Sequence, residues 1–280
     1  MVLKWAGGKS WLTKNHKQIF HSQESLTSRA FNNYPSIKYK RYIEPFLGGG
    51  AVFKYLKPDN ESILADINDE LIGFYNCLKN NPTELYSSTQ KHMNAHCKDY
   101  YYKIRAKNNL TDETKKASRF LYLNRTCYNG IYRVNSQNEF NVPIGDSEDF
   151  NVSEEEFIEY SKMLAKADII NEDFRISISK AKKNDLIFVD PPYVTKSNES
   201  SFDMYSANQF DWNAQKELSQ ILEAKNKEGS HIIVTNIYDK DICKLYDKKN
   251  GWQHKPINRA NVMAYNADGK KYKEIVIKNF

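Results

Sequence analysis

Asp190-Pro191-Pro192-Tyr193 is the run of residues best suited to chemistry. It follows Asp185-Leu186-Ile187-Phe188-Val189, an apolar stretch of buried-strand type. A carboxylate at the carboxyl end of such a strand lies where open α/β sheets bind ligands. The two prolines fix φ and supply no N–H, so the carbonyls here are rigid acceptors. Tyr193 adds a flat stacking surface. Together these groups suit a planar exocyclic amine, which has two protons to donate and a π-face to stack. The bland alternative is a Pro-Pro turn that merely ends a strand.

Glu44-Pro45-Phe46-Leu47-Gly48-Gly49-Gly50 is the second element. A Gly-rich turn between strand and helix lets a ligand approach the backbone closely. The full G-x-G-x-x-G spacing is absent because position 53 is Phe, which favours a nucleoside without phosphates over a diphosphate. Asp66, eighteen residues past Gly48 and ending the next strand, is placed to accept hydrogen bonds from ribose hydroxyls. Lys4-Trp5-Ala6-Gly7-Gly8-Lys9-Ser10 resembles a P-loop only in part, since Leu3 stands where the first glycine belongs. What remains is a loop with a cation and an indole, able to meet a carboxylate and stack on a purine. His92, His96 and Cys97 have the spacing of metal ligands on one helix face, but Met93 replaces the glutamate of H-E-x-x-H. They read as solvated helix residues, and no metal is expected.

Residues 120–135 interleave Arg125 and Arg133 with Tyr122, Tyr128 and Tyr132, and with Asn124, Asn129 and Asn135. Phe140-Asn141-Val142-Pro143-Ile144-Gly145 follows. Arginine pairs bidentately with guanine and asparagine with adenine, while aromatic rings wedge between bases. Asn-Gly and Pro punctuation suggests a tight hairpin presenting such side chains to a groove. An aromatic core loop with surface charges is the alternative.

Positioning these groups takes alternating strands and helices. Strands are expected at 42–44, 62–66, 185–190 and 231–235, and helices after Gly50, around Leu71, Tyr75 and Leu78, and over 215–227. Strands apolar on both faces argue for a Rossmann-like, mostly parallel sheet with helices on both faces. Ala267-Asp268-Gly269, between 262–265 and 275–277, suggests a closing antiparallel hairpin at the C-terminal end. Residues 69–152 are polar and mainly helical without a convincing buried strand, and read as an inserted subdomain. Residues 1–68 and 153–280 form the core, re-entered through the capping box at Ser153-Glu154-Glu155-Glu156.

Across 280 residues, 41 basic against 35 acidic side chains give a net charge of +6, which suits a polyanionic partner without demanding one. A mean hydropathy of -0.74 and the lack of a long apolar run exclude a membrane span. Four scattered cysteines without a C-x-x-C pair read as free thiols in a reducing compartment.

In this order, these blocks resemble the DNA adenine-N6 methyltransferases of the Dam type, the D12 or α class. The likeness runs over nearly the whole chain: Lys-Trp-Ala-Gly-Gly-Lys, Glu-Pro-Phe-x-Gly-Gly-Gly, Ala65-Asp66-Ile67-Asn68, Asp173-Phe174 and Asp-Pro-Pro-Tyr. Asn-Arg-x-x-Tyr-Asn-Gly with Phe-Asn-Val-Pro is the block most specific to enzymes that methylate adenine in GATC. The resemblance implies that S-adenosylmethionine contacts Trp5, Lys9, Glu44, Pro45, Phe46, Gly48, Gly50, Asp66, Asp173, Phe174 and Asp190. It implies that 69–152 is a target-recognition insertion. It places Arg125, Tyr128, Asn129, Arg133, Asn135 and Pro143 on double-stranded DNA, with Arg133 leading for guanine. Acidic Asp146, Glu148 and Asp149 stand where family members often carry basic residues. A bacterial or phage enzyme acting in the cytoplasm, as a monomer or weak dimer, is expected.

The amino lone pair of adenine is delocalised into its ring. Asp190 and the Pro191 carbonyl could accept its two N–H bonds and localise that pair, with Pro192 stiffening the turn and Tyr193 stacking. The base must first leave the duplex. Rival readings are a methyltransferase acting on RNA adenine or cytosine N4, and a non-catalytic DNA-binding protein on the same fold.

Overall fold

The computed structural model describes residues 2–5, 7–20, 37–146, 152–196, 210–257 and 273–280. In chain order the elements are α1 (Ser10–Asn15), β1 (Tyr42–Glu44), α2 (Ala51–Leu56), β2 (Ser62–Asp66), α3 (Asp69–Asn80), α4 (Pro82–Asn94), α5 (Lys98–Arg105) and α6 (Glu113–Thr126). Then come α7 (Glu154–Leu164), β3 (Ala167–Asn171), α8 (Phe174–Ser179), β4 (Leu186–Val189), α9 (Trp212–Lys227), β5 (His231–Ile237), α10 (Lys240–Leu245), β6 (Gln253–Ile257) and β7 (Glu274–Lys278). The chain divides into two compact units, one of Met1–His16, Leu47–Asp59 and Asp66–Asn171, the other of Lys17–Phe46, Asn60–Ala65 and Glu172–Phe280. This partition follows contacts, and it groups 153–171 and the first loop with 69–152, unlike the functional division anticipated above.

The strands follow the order β3-β2-β1-β4-β5-β7-β6. β1 runs parallel to β2 and β4, and β4 parallel to β5, whereas β7 is antiparallel to both β5 and β6. The sheet is therefore mixed and mostly parallel. Its strands are apolar on both faces because both faces are covered: Ile43, Leu64, Ile187, Val189, Ile233, Ile275 and Ile277 are all buried. Arg41, just before β1, donates to buried Asp185, just before β4, at 2.6 Å, and the Asp185 carboxylate also accepts from the Lys182 amide. This anchor fixes where the two central strands start.

The expected antiparallel pairing at the C-terminal end is present. β7 pairs with β6, Ile257 opposite Glu274. Residues 262–265 and the Ala267-Asp268-Gly269 turn lie outside the described residues. β6 carries Pro256, tolerated because it is an edge strand.

In the first unit the helices start where side chains cap them. Asn68 accepts from the Leu71 amide at 3.0 Å, Asp112 from the Lys115 amide at 2.8 Å, and Ser153 and Glu156 close a capping box. Pro82 opens α4 at a position needing no N–H. α5 and α6 share a buried cluster of Tyr101, Ile104, Tyr122, Leu123 and Cys127 with Phe140 and Val142. His92 and His96 do not share a helix, because α4 ends at Asn94. Both are half-buried rather than solvated, bonded through Nδ1 to the hydroxyls of Tyr100 and Tyr122 at 2.8 Å. All four cysteines are unbridged. No helix among the described residues is long and apolar enough to cross a membrane.

Candidate active site

The chemistry-bearing residues fall into two sets, one in each compact unit. In the sheet-bearing unit the strand order reverses between β1 and β4, so the switch point lies at their carboxyl ends. Glu44 ends β1, buried, its carboxylate accepting from the Tyr42 hydroxyl at 2.8 Å. Asp190 follows β4 and is half-buried. Its Oδ1 accepts from the hydroxyl of Thr235, a buried residue of β5, at 2.7 Å. Pro191 is buried and Pro192 exposed. Tyr193 donates its hydroxyl to Glu274 Oε2 at 3.0 Å. Burial raises the Tyr193 phenol well above its ordinary pKa, and the charges of Asp190 and Glu274 reinforce the shift. The ring stays neutral and keeps its donor.

Beyond buried Pro45, Phe46 stacks on Phe174 with centroids 5.4 Å apart and planes at 25°. Phe210 meets both rings edge-on, at 5.6 Å and 5.7 Å. Asp173 caps α8 through the Arg175 amide at 2.8 Å. The Arg175 guanidinium also holds that carboxylate at 2.9 Å, takes Glu217 at 2.6 Å and lies 4.5 Å from the Phe174 ring. The bond to Glu217, aided by Asp173, raises the Arg175 pKa.

In the first unit, Gly48 (φ +48°) and Gly50 (φ +62°) occupy the left-handed region. A Cβ on Gly48 would come within 2.9 Å of Trp5 Cδ1, and one on Gly50 within 2.6 Å of the Tyr160 hydroxyl. Tyr75 donates to the Gly48 carbonyl at 3.1 Å and Tyr160 to that of Gly50 at 3.4 Å. Asp66 accepts from the Gly48 and Asn68 amides, each at 3.0 Å. Burial raises its pKa, opposed by those bonds. Asp66 thus braces the glycine turn itself, a duty its spacing alone did not disclose. Lys9 is buried, donating to the Gly7 carbonyl at 2.7 Å.

Trp5 stacks on Tyr132, centroids 5.9 Å apart at 24°, and Tyr132 donates to Glu70 at 2.8 Å. Buried Asn124 accepts from the Lys4 amide at 2.9 Å and donates to the Lys4 carbonyl at 2.6 Å. The last turn of α6 is thereby tied to the first loop. Short antiparallel bridges join Cys127 to Ile144 and Val134 to Phe140. The Tyr128 amide donates to the Pro143 carbonyl at 2.9 Å, and Asn135 Oδ1 accepts from the Gln137 and Glu139 amides. Tyr128, Asn129, Arg133 and Pro143 are exposed, while Asn135 and Arg125 are half-buried. Arg133 Nε donates to Asn141 Oδ1 at 2.7 Å. Arg119, which with Arg125 and Arg133 makes a basic stretch over 119–133, is buried and donates to the Ile104 and Arg105 carbonyls at the end of α5 and to Glu70.

The chain that carries these two sets has relatives. The model of the D12 class N6 adenine-specific DNA methyltransferase family matches residues 5–262. The chain belongs to this family. It is 34% identical to the DNA adenine methylase of Haemophilus influenzae over 98% of this chain and 91% of that protein. Against the DNA adenine methylase of Escherichia coli the identity is 32%, over 84% and 79%. The type II methyltransferase M.MjaIII of Methanocaldococcus jannaschii is 31% identical over 99% and 98%. The protein is an adenine-specific DNA methyltransferase.

Within this methyltransferase the sequence-predicted groups are divided between the two units. Sequence reasoning missed the partners that hold them. Thr235 is a lone hydroxyl in an otherwise apolar run, and Glu274 a lone acid opening a buried strand, which is the signal that could have found them. Among the described residues no group of three or more His, Cys, Asp or Glu could hold a metal ion.

Proposed function

We propose that this methyltransferase takes its methyl group from S-adenosylmethionine and delivers it to N6 of an adenine everted from duplex DNA, within 5′-GATC-3′. The observation that carries the reading is Asp190, set by a 2.7 Å bond at the switch point of the sheet and followed by Pro191-Pro192-Tyr193. The chain's residues fit such a donor. The glycine turn excludes any Cβ at positions 48 and 50, and Glu44 and Asp66 supply carboxylates suited to a cationic, hydroxyl-bearing nucleoside. Asp66 retains acceptor capacity, since each carboxylate oxygen can accept more than one bond. Trp5, Lys9, Glu44, Pro45, Phe46, Gly48, Gly50, Asp66, Asp173, Phe174 and Asp190 are assigned to the donor. Asp173 would share its carboxylate with Arg175.

When bound, S-adenosylmethionine supplies an electrophilic methyl group on a sulfonium. Asp190 and the Pro191 carbonyl accept the two N–H bonds of the adenine amine, which draws the nitrogen toward tetrahedral geometry. Tyr193 stacks on the ring. Positioning and electrostatics then carry the displacement. The exposed Tyr128, Asn129, Arg133 and Pro143 fit a reader of base edges, and Arg133, oriented through Nε, can present its fork to guanine. Arg125 and Asn135 are assigned to the same DNA surface, Asn135 also shaping the loop through the Gln137 and Glu139 amides.

The test is incubation with tritiated S-adenosylmethionine and duplexes with GATC, with the site altered, or of RNA. Label on adenine N6 of the GATC duplex alone is the expected result. Label on cytosine or RNA, or donor left unbound, would overturn it.

A further inference from the structure

Thr235 and Val276 face each other in register, and Val234 is opposite Val189, so the parallel pairing of β4 and β5 brings the Thr235 hydroxyl beside Asp190. That hydroxyl lies 2.7 Å from Asp190 Oδ1 and 3.4 Å from the Val189 carbonyl. The surrounding strand is His231-Ile232-Ile233-Val234-Thr235, where valine would fill the same volume and packing alone asks for no hydroxyl. Glu274, opposite Ile237 at the start of β7, is a carboxylate buried to 2% exposure, an expensive placement unless its oxygens are bonded. It accepts from Tyr193, 81 residues earlier. The two strands thus grip both ends of one tetrapeptide.

We propose that Thr235 and Glu274 are positioning residues for methyl transfer: Thr235 fixes the Asp190 carboxylate and Glu274 fixes the plane of the Tyr193 ring. This rests on the function proposed above. A carboxylate that must meet an amine proton gains from one fixed rotamer, because a misplacement of an ångström costs about a hundredfold in rate. A ring tethered at its hydroxyl likewise offers one plane for stacking.

The experiment measures single-turnover methylation and both KM values for Thr235→Val, Thr235→Ser, Tyr193→Phe, Glu274→Leu and Glu274→Gln. Thr235→Val should lower the rate about 10- to 100-fold, the size expected for one hydrogen bond to a charged group, with both KM values nearly unchanged. Thr235→Ser should restore it to within a few fold. Tyr193→Phe and Glu274→Leu should cause the same loss, the double variant no greater loss, and Glu274→Gln should recover most of it. A full-speed Thr235→Val, equal losses in Val and Ser, or multiplying effects of Tyr193→Phe and Glu274→Leu would overturn the proposal. If Glu274→Leu does not fold, Tyr193→Phe with and without Glu274→Gln decides the second half. Asp190→Ala separates the two levels: turnover there defeats the proposed function, whereas an inert Asp190→Ala beside a normal Thr235→Val defeats only the positioning.

Discussion

Asp190 takes its donor from Thr235, 45 residues on, and Tyr193 its acceptor from Glu274, 81 residues on. The hairpin after α6 works at short range: Arg133 finds Asn141 eight residues away, and Asn135 folds its own turn over Glu139, four residues away. The tetrapeptide is oriented by neighbouring strands, so its geometry exists only when the sheet does. The exposed side chains of the hairpin are oriented by local bonds over a small buried base of Phe140, Val142 and Cys127. On the function proposed above, chemistry is thereby coupled to global stability, while recognition can vary position by position at little cost to the fold.

Five substitutions break or sharpen that contrast. The largest effect belongs to Asp190→Ala, expected to cut methyl incorporation by roughly a thousandfold while the far-ultraviolet circular dichroism stays unchanged. Gel-shift affinity for duplex DNA should survive, and its loss would show that the two regions are not separable. Next come two arginines of one basic stretch. Arg119→Ala removes one donor from each of the Ile104 and Arg105 carbonyls and should destabilise the fold by about 2–4 kcal/mol in urea titration. Arg133→Ala should leave the urea midpoint in place and reduce GATC discrimination by about 1–3 kcal/mol, read from competition with altered duplexes. Equal unfolding midpoints for these two variants would erase the contrast.

The same stretch shows what sequence could and could not convey. Strands β1, β2, β4 and β5 were legible because burial on both faces leaves unbroken apolar runs, and the capping box at Ser153 marked α7. The two strands that escaped notice, β3 and β6, stand at the two edges of the sheet. An edge strand needs no apolar run, and β6 reads Gln253-His254-Lys255-Pro256-Ile257. Arg119 and Asn124 carry the same residue types as a DNA-reading surface, yet both are buried and tie backbone loops together. Residue type cannot separate these duties, since the partners are main-chain carbonyls and amides that any sequence supplies. The tetrapeptide and the glycine turn were visible because proline and glycine write backbone geometry into the sequence; their supporting side chains were not.

Two smaller effects follow. Gly48→Ala sets a methyl group against Trp5 in a left-handed backbone, and should cost about 1–3 kcal/mol of stability together with weaker donor binding by equilibrium dialysis. Lys278, whose pKa burial and Lys255 lower from 10.5 to about 8, is disfavoured in its charged form by folding. Its penalty is full below pH 8 and fades as the pH rises toward 10.5, so stability gains over that window. Lys278→Met should flatten this rise in thermal melts across the window, and an unchanged slope would assign it to another group.

β7 enters the sheet between β5 and β6, both of which precede it in the chain. The Tyr193–Glu274 bond therefore exists only once β7 has been threaded between two strands that come earlier in the chain.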